Sequence, residues 1–281
     1  MELKLKQINK RLIIGLSAAA LAIILSITMI VLFSREDTTL RTYVHQSPPL
    51  QFDPAAPLPE NPYTSQDFIL QEQYLTCTAG NSLLAIDVSR IQETIDWQQV
   101  RQAGVEIAMI RVGGRGYGQA GALYEDALAL ANYTAAKEAG IRVGVYFFSQ
   151  ATTPAEAREE ARFVLSLTEG WELDMPVVFD WENMGPDTRT EHVDTQLLIR
   201  CTQAFCRTIT RAGREAMIYF NLDQSRDPAY LQQLQCYPFW LALYSDEMNF
   251  PYRVDMWQYT DEGTVPGIEQ PVDINLYFPY Q

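Results

Sequence analysis

The stretch PVVFDWENM, from Pro176 to Met184, ends an apolar run with two carboxylates. Four apolar residues in succession are typical of a strand that is buried on both faces. Side chains at positions i and i+2 of a strand point to the same side, so Asp180 and Glu182 share one face and Trp181 lies on the other. The stretch therefore predicts a core strand that ends in two neighbouring acids.

Strand-like and helical patterns alternate on both sides of this stretch. The strand-like segments are LLAIDVS (83–89), IAMIRV (107–112), RVGVYFFS (142–149) and EAMIYFN (215–221). The helical segments between them are DWQQVRQAG (96–104), ALYEDALALANYTAAKEAG (122–140), PAEAREEARFVLSL (154–167) and DTQLLIRCTQAFCRTITRAG (194–213). Repeated βα units of this kind predict a parallel sheet.

The end of the chain changes character. Its strand-like segments PFWLALYS (238–245), DMWQYT (255–260) and VDINLYF (272–278) leave little room for helices between them. The length from residue 67 to residue 281 suits one barrel domain. We therefore expect an α/β fold, an irregular TIM-like β/α barrel over residues 67–281, with about eight strands and roughly five helices. The last strands of this barrel are expected to follow one another without helices.

The first residues of the chain do not resemble a globular domain. Residues 1–11 are basic, and Leu12–Phe33 is an unbroken apolar run that is long enough to cross a bilayer as a helix. Because no small-residue cleavage site follows it, we expect an uncleaved single-pass anchor in the cell membrane; the alternative is a cleaved signal and a secreted protein. The positive-inside rule places residues 1–11 in the cytoplasm and the rest outside. Proline-rich residues 34–66 are expected to form an extended extracellular spacer.

Charge and cysteine content limit the partners. The formal net charge is -14, and almost all of this negative charge lies in the residues after the basic tail. A strongly acidic domain argues against a nucleic-acid partner and against direct binding to anionic lipid. The cysteines match no dense disulfide framework, so disulfides and buried free thiols both stay open. They are Cys77, Cys201, Cys206 and Cys236.

Acidic residues are predicted at one end of the barrel. In such barrels the working face lies at the carboxyl ends of the strands, and Asp87, Asp180, Glu182 and Asp273 fall there. Crowded, partly desolvated carboxylates raise the pKa of at least one member, and a protonated acid beside ionised ones suits the cleavage of glycosidic bonds. The alternative is that each aspartate caps a helix or a turn.

The ordered set of motifs resembles a glycoside hydrolase family 25 lysozyme, an N-acetylmuramidase, here as a membrane-anchored bacterial member. The resemblance is carried by AIDVSRIQETIDWQQVRQAG, IRVGGRGYG, RVGVYFFSQATTPAEAREEARFVL, PVVFDWEN, MIYFN, FWLALYS, DMWQYTDEGTVPGI and VDINLYF. It implies a β/α barrel that hydrolyses the β-1,4 bond between N-acetylmuramic acid and N-acetylglucosamine in peptidoglycan. Three sites depart from the family pattern: Glu93 follows Gln92, residues 146–148 are YFF, and residues 112–116 are VGGRG.

The resemblance also implies roles for the acids. Glu182 would be the general acid, Asp180 would orient or stabilise the acetamido group of the substrate, and Asp87 and Asp273 would complete the acidic floor. Because the muramoyl sugar carries a 2-acetamido group, substrate-assisted catalysis with retention is the expected scheme, and the sequence leaves retention against inversion open.

Aromatic residues near the strand ends are candidate sugar platforms: Tyr146, Tyr219, Trp240 and Trp257. The alternative for each is core packing. Tyr146 and Tyr219 are the preferred pair.

Other functions fit the sequence less well. The glycines of GYGQAG (Gly116, Gly118, Gly121) match a dinucleotide pattern, but the next strand lacks the acid that would hold a ribose. Only His45 and His192 are available for a zinc deacetylase or a hydrolase triad. We therefore expect no cofactor and no metal. The expected partners are peptidoglycan glycan strands and, through the N-terminal helix, the membrane, with a monomeric barrel; the remaining alternative is an inactive cell-wall-binding barrel.

Overall fold

The computed structural model describes residues 58–279. The predicted cytoplasmic tail, the predicted membrane helix at 12–33 and the spacer up to residue 57 lie outside the described residues. Within 58–279, no helix has the length and apolar character needed to span a bilayer.

The described chain forms eleven strands and five α-helices. The strands are β1 (Phe68–Gln71), β2 (Tyr74–Cys77), β3 (Leu83–Val88), β4 (Ile107–Arg115), β5 (Leu123–Glu125), β6 (Arg142–Ser149), β7 (Val177–Trp181), β8 (Ala216–Asn221), β9 (Phe239–Ala242), β10 (Met256–Gly263) and β11 (Val272–Tyr277). The helices are α1 (Trp97–Gln102), α2 (Ala129–Glu138), α3 (Pro154–Leu167), α4 (Thr195–Arg211) and α5 (Pro228–Leu234).

Eight of these strands close into a barrel. Their order is β3, β4, β6, β7, β8, β9, β10 and β11, and β11 pairs with β3 to complete the ring. All neighbours are parallel except that β11 runs antiparallel to both β10 and β3. The last three strands follow one another without a helix. The predicted barrel, with eight strands, five helices and helix-free last strands, is confirmed for the described part of the chain.

Alternation along each strand separates two apolar layers. Residues such as Met109, Val178 and Met217 point into the barrel and fill its lower half. Their sequence neighbours point outward and pack against the helices, as Phe179 does against Phe205 of α4 with ring centroids 4.9 Å apart. Because both faces are buried, the strands are almost continuously apolar, and the acids that point into the barrel lie toward its mouth.

Helix starts are fixed by local capping. Asp96, Thr153, Asp194 and Asp227 each accept a backbone N–H of the following turn through the side chain. Such caps satisfy donors that the helix itself leaves free. None of these capping residues is one of the four acids predicted at the strand ends. The alternative that those four acids serve as helix caps therefore gains no support from these helices.

A hairpin replaces the missing helices beside the last strands. Strands β1 and β2 pair antiparallel, and Phe68 stacks edge-on against Trp257 of β10 with centroids 5.1 Å apart. The chain before it, which was predicted as spacer, also contacts the barrel: Asn61 N donates to Pro251 O at 2.9 Å, and Leu58 is buried. This layer keeps the outer face of the last strands away from water.

One predicted helix is shorter than expected. The pattern at residues 122–140 predicted a helix throughout, but Leu123–Glu125 form β5, antiparallel to the end of β4, and α2 begins only at Ala129. Asp126 ends the extended segment because its Oδ1 accepts the N–H of Leu128 at 3.1 Å and its Oδ2 accepts Arg111 Nε at 2.9 Å. The short helix α5 was not predicted.

Candidate active site

The predicted acids all lie at the mouth of the barrel and face inward. In the strand register Asp180 of β7 stands beside Tyr219 of β8, and Asp87 of β3 stands opposite Asp273 of β11. Glu182 follows β7 directly and lies on the same side as Asp180. The structure therefore brings the four predicted acids into one cluster.

Asp180 and Glu182 form a buried, mutually repelling pair. Asp180 is only 6% exposed, and its Oδ1 atom has no hydrogen-bond partner among the described residues. Burial, and then the charges of Glu182 and Asp87, raise the pKa of Asp180 well above its ordinary value. Burial and the charge of Asp87 raise the pKa of Glu182 to about 7. The pair therefore holds a proton at a pH where ordinary carboxyl groups have lost theirs.

A cation near Asp180 distinguishes the two acids. The charge of Arg111 opposes the rise in the pKa of Asp180 because it favours the carboxylate. Arg111 is itself held by an ion pair, 2.9 Å from its Nε to Asp126 Oδ2. Arg111 therefore limits the rise in the pKa of Asp180, which burial and the neighbouring carboxylates still hold well above its ordinary value.

Asp87 is held by amide donors from two strands. Its Oδ2 atom accepts Gln258 Nε2 at 2.8 Å and Asn275 Nδ2 at 2.9 Å, and its carboxyl group also hydrogen-bonds to Asp273. Burial raises the pKa of Asp87 to about 6, and these hydrogen bonds limit the rise. Asp87 is 5% exposed, so it lies in the floor of the cluster.

Hydrogen bonds from three aromatic side chains fix the orientation of these two amides. Trp240 Nε1 donates to Asn275 Oδ1 at 2.8 Å, and an indole N–H can only donate, so the amide nitrogen of Asn275 must face Asp87. The hydroxyls of Tyr219 and Tyr244 each donate to Gln258 Oε1 at 3.1 Å. The floor is therefore a connected network and not a set of separate side chains.

A family model matches most of the barrel. Residues 86–268, about two thirds of the chain, match the family model described as glycosyl hydrolases family 25. The chain belongs to glycosyl hydrolase family 25.

One similar sequence and two similar solved structures show what the chain resembles. The uncharacterized protein YegX of Escherichia coli is 29% identical over 71% of this chain and 71% of its own. A bacterial lysozyme from Streptomyces coelicolor is 26% identical, with a TM-score of 0.59, over 72% of this chain and 94% of its own. The modular autolysin LytC from Streptococcus pneumoniae is 20% identical, with a TM-score of 0.63, over 75% of this chain. This family 25 chain spans only 52% of the length of LytC.

The aromatic candidates divide between the site and the core. Tyr146 and Tyr219 point into the barrel mouth and pack edge-on against Trp240, at 6.2 and 5.2 Å between ring centroids. Trp240 is 1% exposed, so it supports these rings and Asn275 from below and offers no open face to a sugar. Trp257 is fully buried on the outer side of the barrel against Phe68, so the prediction that it is a sugar platform is wrong. Strand alternation decides this, since Trp257 is one residue out of phase with the inward Gln258.

Several site residues were missed in the sequence. Gln258 and Asn275 hold Asp87, Tyr244 reaches Gln258, and Arg111 lies near Asp180. A signal was available for two of them. Asn275 is two residues after Asp273, and Arg111 interrupts an apolar strand, so both share the inward face of their strands.

The rival sites gain no support from the described residues. Within 58–279, no cluster of three or more histidine, cysteine or acidic side chains has the arrangement of a metal site. His192 is exposed, and His45 lies outside the described residues. Cys77, Cys201 and Cys206 are buried free thiols, and Cys236 is an exposed one. The glycines 116, 118 and 121 belong to the loop between β4 and β5 and precede no helix directly.

Proposed function

We propose that this chain is a lysozyme that hydrolyses the β-1,4 bond between N-acetylmuramic acid and N-acetylglucosamine in peptidoglycan. The observation that carries the proposal is the pair Asp180 and Glu182, buried at the barrel mouth with raised pKa values. Membership of family 25 supports the reaction class. The similar protein from Streptomyces coelicolor is described as a lysozyme, and LytC has been solved with a synthetic peptidoglycan ligand.

Glu182 is proposed as the general acid. A group with a pKa of about 7 is largely protonated in mildly acidic solution and about half protonated at neutral pH, so it can protonate the departing glycosidic oxygen. Burial supplies this property, since an ordinary glutamic acid has a pKa near 4.5. Because Glu182 is less buried than Asp180, it is also the member of the pair that faces the substrate space.

Asp180 is proposed to act on the substrate and not on the leaving group. Its unpaired Oδ1 atom can accept the N–H of the 2-acetamido group, which aligns the acetamido oxygen for attack on the anomeric carbon. Such substrate-assisted cleavage retains the anomeric configuration and replaces the protein nucleophile of two-carboxylate enzymes. Arg111 supports the role because it favours the ionised form of Asp180.

Asp87 and Asp273 are proposed to keep the acidic floor rigid and negatively charged. Their hydrogen-bonded side chains lie behind the reacting pair, and the charge of Asp87 raises the pKa of Glu182. Tyr146 and Tyr219 are proposed to contact the sugar rings. We propose that the barrel works as a monomer on glycan strands and uses no cofactor, metal or nucleic acid.

The proposed location is the outer face of the cell membrane. It rests on the apolar run Leu12–Phe33, with residues 1–11 in the cytoplasm, a proline-rich spacer to residue 66 and the barrel at 67–281 outside. A tether would hold an acidic enzyme near a wall that does not attract it electrostatically. Carbonate extraction of cell membranes tests the proposal: the full chain should stay in the membrane pellet, and release into the soluble fraction would contradict it.

The test of the reaction is a digestion of purified peptidoglycan by the full chain in detergent. The products are reduced and identified by mass spectrometry. Reducing ends on muramic acid are expected, while reducing ends on glucosamine would assign the cut to the other glycosidic bond. Intact glycan that is bound and not cut would favour the inactive wall-binding barrel.

A further inference from the structure

A tyrosine from outside the barrel ring occupies the place of a missing inward side chain. Gly114 is paired with Phe148 of β6 on one side and with Tyr124 of β5 on the other, and Phe148 is paired with Asp180. Position 114 therefore faces inward, in one row with Asp180. A Cβ atom at Gly114 would lie 2.4 Å from the hydroxyl oxygen of Tyr124. The phenol of Tyr124 thus lies over the bare glycine and enters the barrel mouth.

The phenol of Tyr124 lies next to the reacting acids. The residue is half-buried. The charges of Arg111 and Asp180 both act on it, which places it beside the reacting pair. A partly exposed phenol can offer both a ring face and a hydroxyl group to a sugar.

The loop that carries Tyr124 is clamped from two directions. Arg115, which is 5% exposed, donates to Gly121 O at 2.8 Å and forms an ion pair with the buried Glu160 at 2.7 Å. Arg189 lies on the segment that follows Glu182 and leaves no space for a side chain at Gly121. A Cβ atom at Gly121 would lie 1.5 Å from Arg189 Nη1. The glycine therefore lets the loop pack closely onto Arg189.

The clamp also links this loop to the segment after β7. The backbone N–H of Arg189 donates to Tyr117 O at 3.0 Å, and the Arg189 guanidinium is paired with Glu156 of α3. The Arg189 side chain is only 9% exposed. The hydrogen bond and the ion pair join the loop to both the segment after β7 and helix α3. The position of Tyr124 is consequently tied to the segment that carries Glu182.

We propose that Tyr124 is a substrate-binding residue that contacts the 2-acetamido sugar next to the one held by Asp180 and Glu182. The inference rests on the proposed function, because it assigns a further contact at that site. It also gives the glycine-rich stretch a role: Gly114 makes room for the phenol, and Gly121 lets the loop pack against Arg189. The competing explanation is that Tyr124 only fills space at the end of β4.

The test uses variants that remove or displace the phenol in the full chain. Tyr124→Gly removes it, Tyr124→Phe removes the hydroxyl, and Gly114→Ala displaces it without changing Tyr124. Tyr133→Phe is the matched control, since Tyr133 stacks on Trp171 at 4.2 Å outside the barrel. Steady-state kinetics on a soluble glycan fragment gives KM and kcat for each variant, and thermal unfolding checks the fold.

Tyr124→Gly and Gly114→Ala are both expected to raise KM about tenfold, a factor that corresponds to about 1.4 kcal/mol, with kcat changed less. In the Tyr124→Gly background, Gly114→Ala should add little, because the phenol that it displaces is already absent. Affinity for the same fragment in a Glu182→Gln background should fall by a similar factor with Tyr124→Gly.

Two failures are distinguishable. If the wild-type chain does not cut glycan, the proposed function fails. If it cuts glycan, and Tyr124→Gly leaves both KM and the affinity at the level of the Tyr133→Phe control, the inference about Tyr124 is wrong and the proposed function stands. Additive effects of Gly114→Ala and Tyr124→Gly would also contradict it, since they would show that Gly114 does not act through the phenol.

Discussion

Replacing Glu182 by glutamine is expected to stabilise the fold at alkaline pH while it removes the proposed proton donor. In the folded chain the pKa of Glu182 is about 7, and the ordinary value is 4.5. Between these two pH values the folded state binds more protons than the unfolded state, so the free energy of unfolding falls as pH rises. At about 1.4 kcal/mol per pKa unit, the loss above the folded pKa is about 3 kcal/mol.

The measurement is urea denaturation of wild type and Glu182→Gln at about pH 4 and about pH 8.5, on either side of this window. A glutamine cannot ionise, so the variant should gain about 3 kcal/mol relative to wild type at the higher pH and little at the lower. Glu138→Gln, an exposed change at the end of α2, controls for the amide substitution alone. An equal stability difference at both pH values would refute the reasoning, because it would mean that burial does not raise the pKa of Glu182.

Three further changes test the supporting structure. Gln258→Leu removes one amide donor to Asp87 and should raise the pKa of Asp87 above about 6. An NMR titration of the carboxyl carbon measures this pKa, and an unchanged or lower pKa would contradict the network. Trp257→Ala should lower the free energy of unfolding by about 3–5 kcal/mol with little change in KM for glycan. A large rise in KM in a stably folded variant would show instead that Trp257 contacts the sugar. Glu160→Ala removes the buried partner of Arg115 and should lower the free energy of unfolding by about 3–5 kcal/mol in urea denaturation. An unchanged free energy of unfolding would contradict the role given to this pair.

The barrel was predictable because the chain repeats one simple pattern. Apolar strands such as 142–149 alternate with capped helices such as 154–167, and the strand-only tail ends with 272–278. Strand geometry predicted that Asp180 and Glu182 share one face, and the barrel prediction turned that face inward. The register that sets Asp87 opposite Asp273 needed the antiparallel last strand, which local patterns do not specify.

The residues that were misjudged depend on long-range pairing. Trp257 lies in an aromatic strand segment like that of Trp240, and only the position of the hairpin at 68–77 shows that its outer face is covered. Strand β5 sits in a segment with helical periodicity, where pairing with the glycines at the end of β4 overrides local preference. Gln258 is two strands away from Asp87 in the ring, so its amide contact is invisible in the linear sequence.

The central claim, that Glu182 protonates the leaving group, is tested most directly by comparing two substrates with wild type and Glu182→Gln. One substrate is a natural glycan fragment, and the other is a dinitrophenyl β-glycoside of N-acetylmuramic acid, whose leaving group needs no proton. The account predicts that the variant loses about 10²–10⁴-fold in kcat/KM on the glycan and far less on the aryl glycoside. An equal loss on both substrates would contradict it and would assign Glu182 a role other than proton donation.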